Sequence, residues 1–271
     1  MAKTVNVNGV KFGGNNPLAM IAGPCVIESR EGCMAIADKL VKLSEKQNIP
    51  FVFKASYDKA NRTSIDSYRG PGIEKGLEIL AEIKSKYNVP VLTDVHSIEE
   101  IRIASQVVDI IQLPAFLIRQ TDLVVAAGES GIAVNVKKAQ FAAPWDMKNV
   151  VRKIEATGNK KIMLTERGAS FGYNTLVADM RSLIIMGELG YPVIFDATHS
   201  VQSPGGQGDT SGGDGRFAPY LAKAAAAVGV DGMFIETHPN PAEALSDGPN
   251  MIPLADLPKL WTKLDAIDRI K

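Results

Sequence analysis

The 271-residue chain is poor in the features that mark several large protein classes. It has 2 cysteines, Cys25 and Cys33. That is too few for a disulfide framework, and it points to a reduced, cytoplasmic protein. Charge of one sign is also missing: 30 Lys and Arg balance 30 Asp and Glu, whereas a protein living on nucleic-acid phosphates carries a basic excess. No run approaches the roughly 18 uncharged apolar residues that a membrane helix needs, and Met1 to Asn6 lacks the apolar stretch of a signal peptide. No nucleic acid and no membrane are therefore expected as partners. Disorder is excluded by a hydrophobic content of 45%. No Gly-x-Gly-x-x-Gly follows the first apolar run, which counts against a doubly wound dinucleotide-binding sheet.

What is present is a period. Val5 to Phe12 alternates apolar and polar around Asn8-Gly9, a hairpin signal. Eight short apolar runs then alternate with helical patterns: Leu18 to Val26, Phe51 to Ala55, Pro90 to Val95, Ile110 to Pro114, Ala133 to Val136, Ile162 to Leu164, Pro192 to Phe195, and Gly232 to Ile235. Glu74 to Tyr87, Asp122 to Ala127, Met147 to Ala156 and Arg216 to Val228 are amphipathic, and Leu254 to Ile270 reads as the eighth helix. About 31 residues per unit is the size of a βα repeat in a (β/α)8 TIM barrel. With no linker or low-complexity tract in view, we expect one domain over residues 1–271, in which 1–16 forms the N-terminal hairpin.

In such a barrel the chemistry stands at the C-terminal ends of the strands. The chain is crowded there: Cys25 and Glu28; Lys54, Lys59, Asn61 and Arg62; Asp94 and His96; Gln112 and Arg119; Asn135, Lys137 and Lys138; Glu166 and Arg167; Asp196 and His199; Glu236 and His238. All 3 histidines of the protein fall at this one expected face. Cys25 can be a small buried packing residue. Together with His199, Glu236 and Asp247 it can instead supply sulfur, nitrogen and oxygen ligands to a divalent ion. Lys54, Lys59, Arg62, Lys137 and Arg167 are either surface charges paired with nearby acids or a cationic mouth that calls for a small, multiply anionic substrate. The Gly-rich segment Ser203 to Gly215 reads equally as a lid or as a loose connection, and Ser211-Gly212-Gly213 can cradle phosphate. Ala224 to Ala227 reads as helix packing.

These strand-end motifs carry a resemblance. Ala22-Gly23-Pro24-Cys25, Phe53-Lys54-Ala55-Ser56 with Lys59-Ala60-Asn61-Arg62, Gln112-Leu113-Pro114-Ala115-Phe116, Asn135-Val136-Lys137-Lys138, Thr165-Glu166-Arg167-Gly168, Phe195-Asp196-Ala197-Thr198-His199 and Glu236-Thr237-His238-Pro239 are similar to the 3-deoxy-D-manno-octulosonate 8-phosphate synthase family over nearly the whole chain. The resemblance implies a TIM barrel, usually tetrameric. It also implies condensation of phosphoenolpyruvate with arabinose 5-phosphate and water, on the route to lipopolysaccharide. By motif, Lys54, Lys59, Gln112, Lys137 and Arg167 would bind phosphoenolpyruvate, while Asn61, Arg62 and Thr63 would hold the sugar phosphate with Ser211 and a neighbouring subunit's Arg119. Cys25, His199, Glu236 and Asp247 match the ligand set of the metal-dependent branch, which implies a divalent ion such as Zn, Fe or Mn. Lys59, Asp94, His96 and His199 are the candidate catalytic groups. Asp66 stands where the family commonly has His, so the role of that position is open.

Three rivals remain at this level. A 3-deoxy-D-arabino-heptulosonate 7-phosphate synthase using erythrose 4-phosphate shares the metal ligands, but typically has Lys-Pro-Arg where this chain has Lys59-Ala60-Asn61-Arg62. A Schiff-base aldolase would use Lys54 or Lys137 as nucleophile. A silent phosphosugar-binding barrel would bind without turnover.

Overall fold

The computed structural model describes residues 2–206 and 212–270. Eight strands run parallel in chain order: β1 (Ala19–Gly23), β2 (Phe51–Lys54), β3 (Val91–Asp94), β4 (Ile110–Leu113), β5 (Ala133–Lys137), β6 (Ile162–Glu166), β7 (Val193–Asp196) and β8 (Gly232–His238). β8 pairs with both β7 and β1, so the ring is closed. Helices follow the strands in alternation: α1 (Arg30–Gln47), α2 (Ile73–Tyr87), α3 (Ile98–Ala104), α4 (Thr121–Glu129), α5 (Met147–Glu155), α6 (Arg181–Gly187), α7 (Ala218–Val228) and α8 (Leu257–Asp268). This is the (β/α)8 barrel that the period predicts.

Local chemistry sets the element ends. Ser29 caps α1 by accepting from the Gly32 N–H at 3.0 Å, and Ser97 caps α3 through the Glu100 N–H at 3.1 Å. Asn48 and Asn88 close α1 and α2 in the left-handed region. The prolines at 24, 90, 114 and 192 all fall outside the strands, because each lacks the N–H that a ladder requires. β1 therefore stops at Gly23, short of the expected Val26, while β6 and β8 run on to Glu166 and His238. Gly23 has no substitute: a Cβ there would lie 1.9 Å from the Lys54 carbonyl oxygen.

The strand period of two explains both the core and the site. Outward residues such as Phe53, Leu113, Val136, Leu164 and Phe195 pack against the helices, where Trp261 of α8 meets Phe51 with ring centroids 5.8 Å apart. Inward residues at the lower end are apolar: Ile21, Val52, Leu92, Ile110, Ala133, Met163, Ile194 and Phe234 form an interior layer. Two residues further along, the same inward parity presents Lys54, Asp94, Gln112, Asn135, Thr165, Asp196 and Glu236. The expected hairpin is present as strands Val5–Val7 and Val10–Phe12 around Asn8 and Gly9, both at positive φ. Val5, Val7 and Phe12 join the interior apolar layer, so the hairpin closes the lower end of the barrel. No helix among the described residues is long and apolar enough to cross a membrane.

Candidate active site

At the upper end of the barrel a cavity of about 160 Å³ opens, lined by Lys59, Asn61, Thr63, Asp94, His96, Gln112, Lys137, Arg167, His199, Gln202, Glu236 and Asp247, among others. A larger groove of about 890 Å³ lies outside the barrel between α7 and α8, away from these side chains. The chemistry belongs to the smaller cavity because inward-facing polar residues of β3, β4, β5 and β8 line it, together with side chains from the loops that follow β2, β6 and β7.

Those polar residues form a continuous network. The Thr165 hydroxyl donates to Asn135 Oδ1 at 2.7 Å, Asn135 Nδ2 to Gln112 Oε1 at 2.8 Å, and Gln112 Nε2 to Asp94 Oδ1 at 2.5 Å. Asp94 also accepts from the Ser56 hydroxyl, and its Oδ2 lies 4.0 Å from Lys54 Nζ and 3.9 Å from Lys59 Nζ. Burial works against the Asp94 carboxylate, but Lys54, Lys59 and Lys137 outweigh it and hold the group well below its usual range. Glu236 is held low in the same way, against its burial, by Lys54, His199 and Lys59. Its Oε1 accepts from Lys54 Nζ at 2.5 Å, which leaves Oε2 facing His199 Nε2 at 3.6 Å.

A second group surrounds Asp196. The buried carboxylate accepts from Lys137 Nζ, from the His199 N–H at 2.9 Å and from the Thr198 hydroxyl at 3.1 Å, and His199 Nδ1 lies 2.7 Å from its Oδ2. Burial lowers the Lys137 ammonium from its ordinary value, with Asp196 chief among the groups that oppose the fall. Lys59 goes the other way. Burial would lower it, yet Cys25, Glu236 and Asp94 hold it well above its ordinary range, so at neutral pH it is a donor. Arg167 donates from Nη2 to Gln202 Oε1 at 2.9 Å, while its Nη1 is buried without a partner among the described residues. An unpaired guanidinium nitrogen in a cavity carrying two lysines is a receptor for an anion.

The third group is Cys25, Glu236 and Asp247, whose ligand atoms all lie within 4.8 Å of one another. Cys25 Sγ is 3.3 Å from Asp247 Oδ2 and 3.2 Å from Ser246 Oγ. Burial and then the Glu236 carboxylate push the thiol well above its ordinary range, so the thiolate needs a cation beside it. A buried sulfur between two carboxylates fits a divalent transition metal as a donor set. His199 stands beside this group without joining it, and its Nδ1 bond to Asp196 turns Nε2 toward Glu236, the arrangement usual for a metal-ligating imidazole.

The comparisons with known proteins agree with this geometry. A family model described as the DAHP synthetase I family matches residues 2–269. The chain belongs to that family. It is 58% identical over 270 residues to the 2-dehydro-3-deoxyphosphooctonate aldolase of Geobacter metallireducens, covering 100% of this chain and 99% of the relative. The proteins of the same name from Trichlorobacter lovleyi and Geobacter sulfurreducens are each 57% identical over 270 residues, with the same coverage.

Not every residue singled out from the sequence of this family member reaches the cavity. Lys54 and Cys25 lie beneath its lining, bonded to Glu236 and beside Asp247. Arg62 turns aside, donating from Nη1 to Ser246 Oγ at 2.6 Å. Arg119 is exposed and lines a separate depression with Phe141 and Lys153. His238 stays at this end of the barrel but outside the cavity: its Nε2 lies 3.6 Å from Glu28 Oε2, and Glu28 Oε1 also accepts from the Leu245 N–H, which ties down the loop carrying Asp247. Asp66 is exposed and lines no part of the cavity. Ser211 lies outside the described residues, although the Gly-rich segment is joined at its base by Gln202–Ser203 pairing with Gly212–Gly213. Lys138 and Glu166 have outward parity and pair with each other at 3.5 Å behind the site. Gln202, Ser246 and Ser56 were missed by sequence reasoning. Ser56 stands inside the Phe53-Lys54-Ala55-Ser56 motif without being singled out, no motif marks Gln202 or Ser246, and only the place of Gln202 just past His199 offered a signal.

Proposed function

We propose that this barrel condenses phosphoenolpyruvate with D-arabinose 5-phosphate and water, giving 3-deoxy-D-manno-octulosonate 8-phosphate and inorganic phosphate. The observation that carries this reading is the buried Arg167 nitrogen with no partner among the described residues, in one small cavity lined also by Lys59, Lys137, Asp94 and the carboxylates of the Cys25 group. The shared name of the high-identity relatives favours it over the heptulosonate reaction, and turnover over silent binding.

Lys137 and Arg167, with Lys54 and Gln112 behind them, hold the carboxylate and phosphate of phosphoenolpyruvate. Asn61 and Thr63 on the β2–α2 loop, with Arg62 at the rim, hold the sugar. A second copy's Arg119 and this chain's Ser211 complete the phosphate pocket of the sugar, in a cytoplasmic homotetramer. C3 of phosphoenolpyruvate attacks the aldehyde carbon, and the aldehyde oxygen takes a proton to become a hydroxyl. Lys59, held protonated by its anionic neighbours, donates toward that oxygen. Water adds at C2 and gives up a proton, for which the ionised Asp94 and Nε2 of His96 are the acceptors lining the cavity; His96 Nδ1 is already engaged with Glu100 at 2.9 Å. The tetrahedral carbon then expels phosphate and leaves the ketone. A divalent cation held by Cys25, Glu236 and Asp247, with His199, would supply Lewis-acid polarisation of an oxygen.

Phosphate release tests the proposal, with arabinose 5-phosphate or erythrose 4-phosphate as acceptor and with or without a chelator. Release with arabinose 5-phosphate that the chelator abolishes is expected. Preference for erythrose 4-phosphate overturns the substrate, and full turnover by metal-free protein overturns the cation. Borohydride trapping of Lys54 or Lys137 with substrate would instead support a Schiff base.

A further inference from the structure

Gln202 sits just past the turn that carries His199, and its side-chain amide reaches in two directions. Its Oε1 accepts from Arg167 Nη2 at 2.9 Å, and its Nε2 donates to Asp247 Oδ1 at 3.0 Å. One uncharged group thus joins the anion-receiving guanidinium to a carboxylate of the sulfur and oxygen cluster. Both ends are constrained. Asp247 is held in the left-handed region at φ 52, with its other oxygen 3.3 Å from Cys25 Sγ. Arg167 keeps Nη1 buried, with no partner among the described residues. An amide suits this position because it accepts at one end and donates at the other. A carboxylate there could not donate to Asp247, and a cation could not accept from Arg167.

We propose that Gln202 is a positioning residue that couples the anion site to the cation site. An anion on Arg167 Nη1 fixes the guanidinium, the guanidinium fixes the amide, and the amide holds Asp247 with Oδ2 turned toward Cys25 and Glu236. The two ligands then bind with positive cooperativity through one shared rotamer. By linkage, each tightens the other by the same factor. Attraction between the bound charges acts through space as well and does not depend on Gln202, so the share lost on replacing this side chain measures its part. The inference rests on the proposed binding of a divalent cation at Cys25, Glu236 and Asp247.

The test is a Co²⁺ titration of metal-free protein, followed by the thiolate-to-cobalt charge-transfer absorption of Cys25, with and without phosphoenolpyruvate. In the native protein phosphoenolpyruvate is expected to tighten cobalt by about tenfold, and cobalt to tighten phosphoenolpyruvate equally in calorimetry. In Gln202→Met, a near-isosteric change at a half-buried position, both factors should fall by most of that amount while the thermal unfolding midpoint stays unchanged. If Gln202→Met does not fold, Gln202→Ala is read in the same way, and Asp247→Asn with and without Gln202→Ala gives the pairwise coupling from phosphoenolpyruvate affinity alone. A native-sized factor in the Gln202 variants overturns the inference and leaves the cation reading intact. Absence of a thiolate–cobalt band in the native protein overturns both.

Discussion

Asp196→Asn is the substitution whose consequences follow most directly from the structure. Asp196 is fully buried at the end of β7, and the Lys137 side chain that donates to it is 7% exposed. The Lys137 Nζ also lies 3.7 Å from the centroid of the Phe234 ring, so little water can replace a lost partner. Breaking a buried pair by neutralising one member costs about 3–5 kcal/mol, since the remaining charge stays desolvated. For a chain of this size class, each kcal/mol moves the unfolding midpoint by about 2–4 °C, so a fall of roughly 6–20 °C is expected by calorimetry. Activity should fall as well. His199 Nδ1 loses the acceptor that turns Nε2 toward Glu236, and loss of such an orienting carboxylate reduces metal affinity or activity by about 10–100-fold. Phosphate release gives kcat/KM for the comparison. The double variant Lys137→Met with Asp196→Asn separates the two effects: removing the second charge, while the amide oxygen still accepts from the His199 N–H and the Thr198 hydroxyl, should recover most of the midpoint while activity stays lost. A single variant that melts within about 2 °C of the native protein refutes the reasoning, as does a double variant no more stable than the single.

Two further outcomes follow from the same structure. Phe12→Ala removes a fully buried ring from the hairpin that closes the lower end of the barrel, and should cost about 3–5 kcal/mol in denaturant unfolding while KM for both substrates is unchanged; a loss under about 1 kcal/mol would mean that the hairpin does not seal the core. Asp94, Asp196 and Glu236 are all held below their ordinary values, so each contributes stability that is full above the unfolded-state values of about 4 and is lost as pH falls through the folded ones. The unfolding midpoint should therefore be level from neutral pH down to about 5 and drop steeply below about 4; a midpoint unchanged on acidification to about 3 would contradict those three ion pairs.

Much of this was legible in the chain because strand chemistry is periodic. Apolar runs bounded by prolines and glycines located all eight barrel strands, and the residues at and just past their ends included Lys59, Asp94, His96, Gln112, Lys137, Arg167, His199 and Glu236 of the cavity. The parity of two separates residues that the strand ends alone do not: Lys138 and Glu166 stand among strand-end residues like the others but face outward, where they pair behind the site. His238 shows the same limit. Its position at the end of β8 placed it on the active face, but its hydrogen bonds to the Asn240 backbone and its approach to Glu28 hold it outside the cavity.

By itself, then, the sequence determined the strands, their order and the chemical type of each strand end, since these depend on local periodicity and on what Pro and Gly permit. Tertiary structure decided which charges meet. Closure of β8 on β1 sets Glu236 against Lys54 and brings Asp247 to Cys25 from the opposite end of the chain. The Gln202 bridge between Arg167 and Asp247 likewise joins three separate loops. Pairings of this kind depend on distances of a few ångströms between residues far apart in sequence, and no local pattern encodes such distances. Ring closure also turned the opening hairpin from a preliminary element into the floor of the barrel, because only a closed ring has an interior for Phe12 to fill.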